Sequence, residues 1–185
     1  MTNILNEYLS ILDPDEVCNC VEELPTGAVV KFISQSIGEA LERKSHDREK
    51  IATMLTLLYE HNVIEAEDIQ EGFLDHFEFF EDIRVDIPRL EQYVAQIVSP
   101  MIRCGALSLT WVGSKAQHLI ESGIAVKLIH EIIECITRDG GVEKINTILQ
   151  EAKFADGVWD SLTSVNDDQL AIWLKDSCCI QSEDN

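Results

Sequence analysis

Pro88-Arg89-Leu90-Glu91-Gln92-Tyr93-Val94-Ala95-Gln96-Ile97-Val98-Ser99-Pro100-Met101-Ile102 is the stretch whose reading decides the fold. Leu90, Tyr93, Val94, Ile97, Val98, Met101 and Ile102 recur at intervals of three and four, so they share one face of a helix. Pro88 suits a first helical turn, because its φ is already helical and it has no N–H to leave unpaired. Pro100 interrupts the pattern. Its ring and missing donor predict a kink, or a break near Val98. Gly105 is the stop signal.

The same periodicity extends in both directions. Ile4, Tyr8, Leu9 and Leu12 form a first short stripe. Asp13-Pro14-Asp15-Glu16 reads as the start of a second helix, with Asp13 as cap, Pro14 in the first turn and Glu16 at the capping-box position. That helix is expected to run to about Leu24 and stop at Pro25-Thr26-Gly27. A third is expected over 28–44, a fourth over 46–61 with Ser45 as its cap, and a fifth over 67–80 with acids in its first turn. Beyond Gly105 the pattern is irregular until Gly123. Val126, Ile129, Ile132, Ile133 and Ile136 then make a strong stripe that Asp139-Gly140-Gly141 closes. A ninth helix is expected over 142–153, with two shorter ones around Trp159 and over Leu170 to Trp173.

This pattern gives an all-α chain of about ten antiparallel helices. Helix pairs recur about every 35 to 45 residues, which matches a HEAT-like helical-repeat solenoid. No sequence repeat underlies the spacing.

Immediately before Pro88 lies the most acidic region. From Glu65 to Asp86 there are nine acids and a single base, Arg84. Asp82 and Asp86 stand four positions apart just ahead of Ile87-Pro88, and the segment reads as an inter-helix loop. A loop entering a helix through proline is stiff, and stiff carboxylates lose less entropy when they pair with Arg or Lys. Charge-assisted, bidentate bonds then supply both affinity and register. From local physics alone, the two aspartates either present charge to a basic partner or merely cap or flank the following helix.

Composition narrows the function classes. The chain has 185 residues, 45% of them hydrophobic, enough for a real core in one domain or two small ones. A formal net charge of -20 argues against binding a phosphate backbone or an anionic membrane surface. It favours a protein partner with a basic face. The six cysteines lack metal-ligand spacing: Cys18 and Cys20 are one residue apart, Cys178 and Cys179 are adjacent, and Cys104 and Cys135 stand alone. Reduced thiols in an intracellular protein are the expectation. No signal peptide or membrane span is legible.

No motif carries catalytic chemistry. The five histidines form no H-E-x-x-H, although His130 and Glu134 are four apart. There is no G-x-S-x-G or glycine-rich phosphate loop. Asp82 and Asp86 lack the alternating acids and central glycine of a calcium loop, and a split-pKa pair needs a cleft. A non-enzyme without cofactor or metal is expected.

Asp82-Ile83-Arg84-Val85-Asp86-Ile87-Pro88, followed by Tyr93-Val94-Ala95-Gln96-Ile97-Val98-Ser99-Pro100-Met101, resembles the signature of the MI domain, also written MA-three, in the version carried by eukaryotic translation initiation factor 4G scaffolds. Glu7-Tyr8-Leu9 and Val21-Glu22-Glu23-Leu24 resemble the first helical pair of that family, and Ala40-Leu41-Glu42-Arg43 the end of its third helix. Leu149-Gln150-Glu151-Ala152 and Trp159 resemble its C-terminal section more loosely.

The resemblance implies one MI-type HEAT-like domain, expected over 1–178, and the acidic tail over 179–185 is expected to be disordered as a chain terminus. The resemblance implies a cytoplasmic scaffold domain of translation initiation that binds the DEAD-box RNA helicase initiation factor 4A; the net charge argues against direct nucleic-acid contact, and a solenoid with a charged surface points to a monomer. Carried over by position, the partner-binding residues are Glu42, Asp82 and Asp86. Arg84 departs from the uncharged residue usual in the family, and it puts the wrong sign in the middle of that surface. Two alternatives stand beside this reading. One is a helicase-inhibiting relative of the programmed cell death 4 protein; the other is a diverged HEAT-like module that does not bind the helicase.

Overall fold

The computed structural model describes residues 2–25 and 27–153. Among the described residues there are nine α-helices, one short 3-10 helix and no strand. They fall into two compact units that divide between Leu107 and Ser108.

The first unit holds α1 (Thr2–Ile11), α2 (Pro14–Glu22), α3 (Ala28–Glu42), α4 (Ser45–Glu60), α5 (Ala66–Glu78), α6 (Phe80–Asp86) and α7 (Leu90–Cys104). α3 packs on α1 and most extensively on α5, while α4 packs on α2 and most extensively on α7. Two layers result, α1-α3-α5 and α2-α4-α7, closed on each other through α3 against α4 and α7. This is the packing of an all-α helical-repeat fold. Phe32, Ile33 and Ile37 of α3, Ile51, Met54 and Leu55 of α4, and Ile97, Val98 and Met101 of α7 are essentially sealed from water.

Local signals explain most boundaries. Asp13 caps α2, accepting from the amides of Asp15 at 3.0 Å and Glu16 at 3.3 Å. Glu65 and Asp68 form a capping box at the start of α5. Gly105 ends α7 at φ 87°, a left-handed turn that glycine adopts without steric cost.

Three expectations change. Ser45 does not cap α4; it lies inside the first turn, Lys44 takes the cap position, and the Ser45 hydroxyl donates to Glu49 Oε1 at 3.1 Å. Pro88 does not open α7, which begins at Leu90. Pro100 does not break α7: the helix runs through it to Cys104, since Val98, Met101 and Ile102 stay buried on both sides and packing outweighs one lost ladder bond.

α3 and α5 meet at a close approach centred on Gly72. A Cβ added there would lie 2.6 Å from Ile33 Cγ2 and 3.3 Å from the Ser34 amide nitrogen. One turn further on, His76 Nε2 donates to the Ser34 carbonyl at 3.0 Å. Burial holds the His76 pKa below its ordinary 6.5, with the Ser34 carbonyl and Asp75 pulling the other way. Below about pH 6.5 the unfolded chain takes up a proton that the folded one resists, so His76 destabilises the fold as pH falls through that window. The advantage of the wild type over His76→Gln in urea midpoint is therefore expected to shrink between about pH 7.5 and about pH 5.5. A constant difference would count against this account.

The second unit begins with Ser108, whose hydroxyl accepts from the Trp111 amide at 3.0 Å and caps α8 (Leu109–Lys115). A 3-10 turn over Gln117–Leu119 leads to α9 (Ile124–Lys153), and both pack on it. Helix α9 contains one non-helical residue, Gly141 at φ 78° and ψ 169°. Asp139-Gly140-Gly141 is the expected helix stop, and the helices expected on either side of Gly141 are both present. The helices expected near Trp159 and Leu170, and the tail, lie outside the described residues.

Candidate docking site

The acidic segment after α5 is a helix and not the loop that its charge suggested. Phe80 anchors it: the side chain is buried, and its ring stacks on Phe77 with centroids 6.3 Å apart. Phe77 in turn lies 6.1 Å from Phe73 on α5. Phe80, Ile83 and Ile87, three and four residues apart, form the stripe that turns toward the core. Glu81, Asp82, Val85 and Asp86 are left exposed, with Val85 at 80%. The Ile87 amide donates to the Ile83 carbonyl at 3.0 Å, and the chain turns through Pro88 and Arg89 into α7.

Helical geometry sorts the charges. Asp82 and Asp86 are one turn apart and share a face. Arg84, two positions from each, points the other way, and its Nε–H donates to Glu91 Oε1 at 2.9 Å. The Glu91 side chain is 1% exposed and that of Arg84 39%. Arg84 is therefore drawn toward α7 and does not sit in the middle of the acidic face. It straps α6 to the start of α7, and the sign conflict read from the sequence is removed by orientation.

Glu42 is the last residue of α3 and is exposed, between buried Leu41 and Arg43. Arg43 is occupied elsewhere, with Nη2 at 2.9 Å from Glu39 Oε2 and 3.1 Å from Asn6 Oδ1. An open groove of about 720 Å³ brings Glu42 together with Asp86; Leu41, Ile83, Ile87 and Tyr93 give it apolar walls, and Pro88 and Arg89 complete the lining. Asp82 is not in the groove. It continues the acidic stripe one turn away on α6.

The capping alternative for the two aspartates fails. Neither α6 nor α7 receives a side-chain cap, and the cap position of α7 is Arg89. Glu42 and Asp86 stand at the C-terminal ends of their helices, where the dipole disfavours an anion by up to about 1 kcal/mol. The acids of α5 are different. Glu65 and Asp68 complete its capping box, and Glu67 sits in its first turn where an anion is favoured.

Among the described residues no group of three or more His, Cys, Asp or Glu is placed to hold a metal ion. Cys18, Cys20 and Cys104 are free thiols. His130 and Glu134 approach to 3.8 Å at a partly exposed site, an ordinary i,i+4 pair. No described helix is long and apolar enough to cross a membrane.

A family model, the MA3 domain, matches residues 1–108. The chain belongs to the MA3 domain family. The match ends within one residue of the first compact unit, and it contains every residue of the groove. Relatives extend further along this MA3 chain. Eukaryotic translation initiation factor 4 gamma 3 of Mus musculus is 28% identical over 152 residues, 81% of this chain and 10% of the relative. Eukaryotic translation initiation factor 4G of Triticum aestivum is 28% identical over 159 residues, 80% of this chain and 10% of the relative. A von Willebrand factor A domain-containing protein of Dictyostelium discoideum is 27% identical over 153 residues, 82% of this chain and 7% of the relative. The MA3 chain thus spans a tenth or less of the length of these relatives.

Sequence reasoning missed two features of this site. One is the helical state of the acidic segment, whose signal was the Phe80-Ile83-Ile87 spacing. The other is Arg48, which lies behind the groove on the core stripe of α4, one turn before Ile51 and Ala52.

Proposed function

We propose that this MA3 domain is a non-enzymatic, cytoplasmic scaffold module of translation initiation that docks the DEAD-box RNA helicase initiation factor 4A. Glu42, Asp82 and Asp86 make the acidic contact surface, and Val85 adds an apolar contact beside it. One observation carries the reading: two exposed carboxylates that cap nothing, Glu42 and Asp86, stand at the unfavourable ends of their helices and line a groove with apolar walls, and Asp82 continues the stripe one turn away. Solvated acids held on rigid helices suit arginine and lysine on a partner. The 4G relatives, scaffold-sized proteins of which this chain matches a small part, supply the translation context. Because they match about four fifths of the chain, a single MI-type domain over 1–178 belongs to the same proposal; the strongly acidic net charge favours a monomer.

Calorimetry with the purified helicase tests this. A complex is expected at about 0.05 M salt and is expected to weaken at least about fivefold by about 0.3 M, as screening shortens the reach of surface charge. An unwinding assay then separates a stimulating scaffold from an inhibitor. The Dictyostelium relative, whose name carries no translation factor, favours a second reading in which the module serves another partner. Absence of a complex at low salt would select that second reading.

A further inference from the structure

Arg48 is 2% exposed on a helix face otherwise filled by aliphatic side chains. Its Nη1–H donates to Gln96 Oε1 at 2.7 Å and its Nη2–H to the Arg43 carbonyl at 2.8 Å. Its Cζ lies 3.6 Å from the centroid of the Tyr93 ring, while Nε finds no acceptor. These contacts are with an amide, a carbonyl and a phenol. Sealing a guanidinium away from water on such terms is costly, whereas an aliphatic side chain at this place would pack at no such cost. What the cation gains is position. Arg43 is the first residue after α3 and adjoins Glu42. Tyr93 and Gln96 are one turn apart on α7, and Glu42 and Tyr93 both line the groove.

We propose that Arg48 is the positioning residue of the docking groove: by bridging the end of α3 to α7 it fixes Glu42 against Tyr93. A planar fork with several donors reaches both helices at once, which an ammonium on a flexible stem does not. Burial lowers the Arg48 pKa and Tyr93 opposes the shift, yet a guanidinium stays charged throughout the working range. The proposal rests on the helicase reading only for the identity of the partner.

The test uses the full chain with Arg48→Lys, which keeps the charge over Tyr93 and loses the fork, and Arg48→Met, which loses both. The lysine variant is expected to melt within a few degrees of the wild type. Its backbone hydrogen exchange is expected to rise about tenfold at residues 41–44 and 90–93 and stay unchanged over Ile69–Phe77 of α5. Affinity for purified initiation factor 4A is expected to fall about tenfold with lysine and further with methionine. Unchanged exchange at 41–44 overturns the proposal. So does a uniform rise across the first unit, which would make Arg48 an ordinary core residue. Local loosening with undiminished affinity overturns it as well. Local loosening in a chain whose wild type shows no helicase complex upholds Arg48 as the positioning residue and rejects the helicase as occupant.

Discussion

Gly72→Val is expected to destabilise the MA3 unit strongly, with Gly72→Ala clearly harmful as well. At this position α3 and α5 touch with no room for a side chain. The first added carbon would stand 2.6 Å from Ile33 Cγ2 and 3.0 Å from Ile33 Cβ. Ile33 is fully buried and cannot swing away, and the Ser34 amide behind it is backbone. Alanine gains about 1 kcal/mol of helix propensity over glycine. Overpacking costs about 1–3 kcal/mol and more when backbone must shift, so alanine is expected to lose about 1–2 kcal/mol net. For a unit of this size that is about 5–15 °C in melting temperature. Valine adds two methyl groups to the same contact and is expected to cost about 3 kcal/mol or more. Thermal denaturation checks the order, and a double-mutant cycle checks the cause. Ile33→Ala opens the space that the Gly72→Ala methyl needs, so the pair should cost less than the sum of its parts. A melting temperature raised by Gly72→Ala would show that the helices separate freely there.

Asp82→Ala with Asp86→Ala is expected to abolish detectable binding to the helicase while leaving the helical circular dichroism unchanged. Both side chains are exposed and neither caps a helix, so their loss leaves the fold without a broken bond. Alanine also suits a helix better than aspartate. At an interface, truncating one partner of a desolvated charge pair costs about 2–5 kcal/mol, or about 30- to 4,000-fold in affinity. Glu42→Ala should act in the same direction on the opposite side of the groove. A charge-matched control, Glu22→Ala with Glu23→Ala, removes two exposed acids around the end of α2. Equal losses from the control would mean that net charge, and not the α6 face, drives association.

Much of this was legible in the chain. The 3.6-residue stripes placed α1, α3, α4, α7 and the first part of α9, because each buries a face against a neighbour and burial enforces the period, while start signals placed α2 at Asp13-Pro14 and α5 at its first-turn acids. Single-residue boundary signals fared worse. Ser45 was a plausible cap but Lys44 took the position, and Pro88 was a plausible first residue but α7 began two residues later. These choices turn on differences of about 1 kcal/mol that tertiary packing readily overrides. The acidic density of Glu81–Asp86 hid a helix only seven residues long, for which two turns give too little periodicity to outweigh composition. Asp82 and Asp86 were legible as an exposed pair. That Arg84 faces away from them was not, because in a loop its direction is free, whereas in a helix the two-residue offset fixes it. Arg48 was hidden for another reason: pattern reading assigns a charged residue to solvent, and only the positions of Tyr93, Gln96 and the Arg43 carbonyl make its burial tolerable.

The central claim is that the α6 acidic face and the end of α3 form the surface that meets the helicase. Nuclear magnetic resonance on the isotope-labelled chain, titrated with unlabelled initiation factor 4A at low salt, tests it most directly. Shifts or broadening are expected at Glu42, at Asp82 through Asp86 and at Tyr93, with α1 and α2 unmoved. Perturbation confined to α1 and α2, or to the helices after Ser108, with Glu42, Asp82 and Asp86 silent, would contradict it.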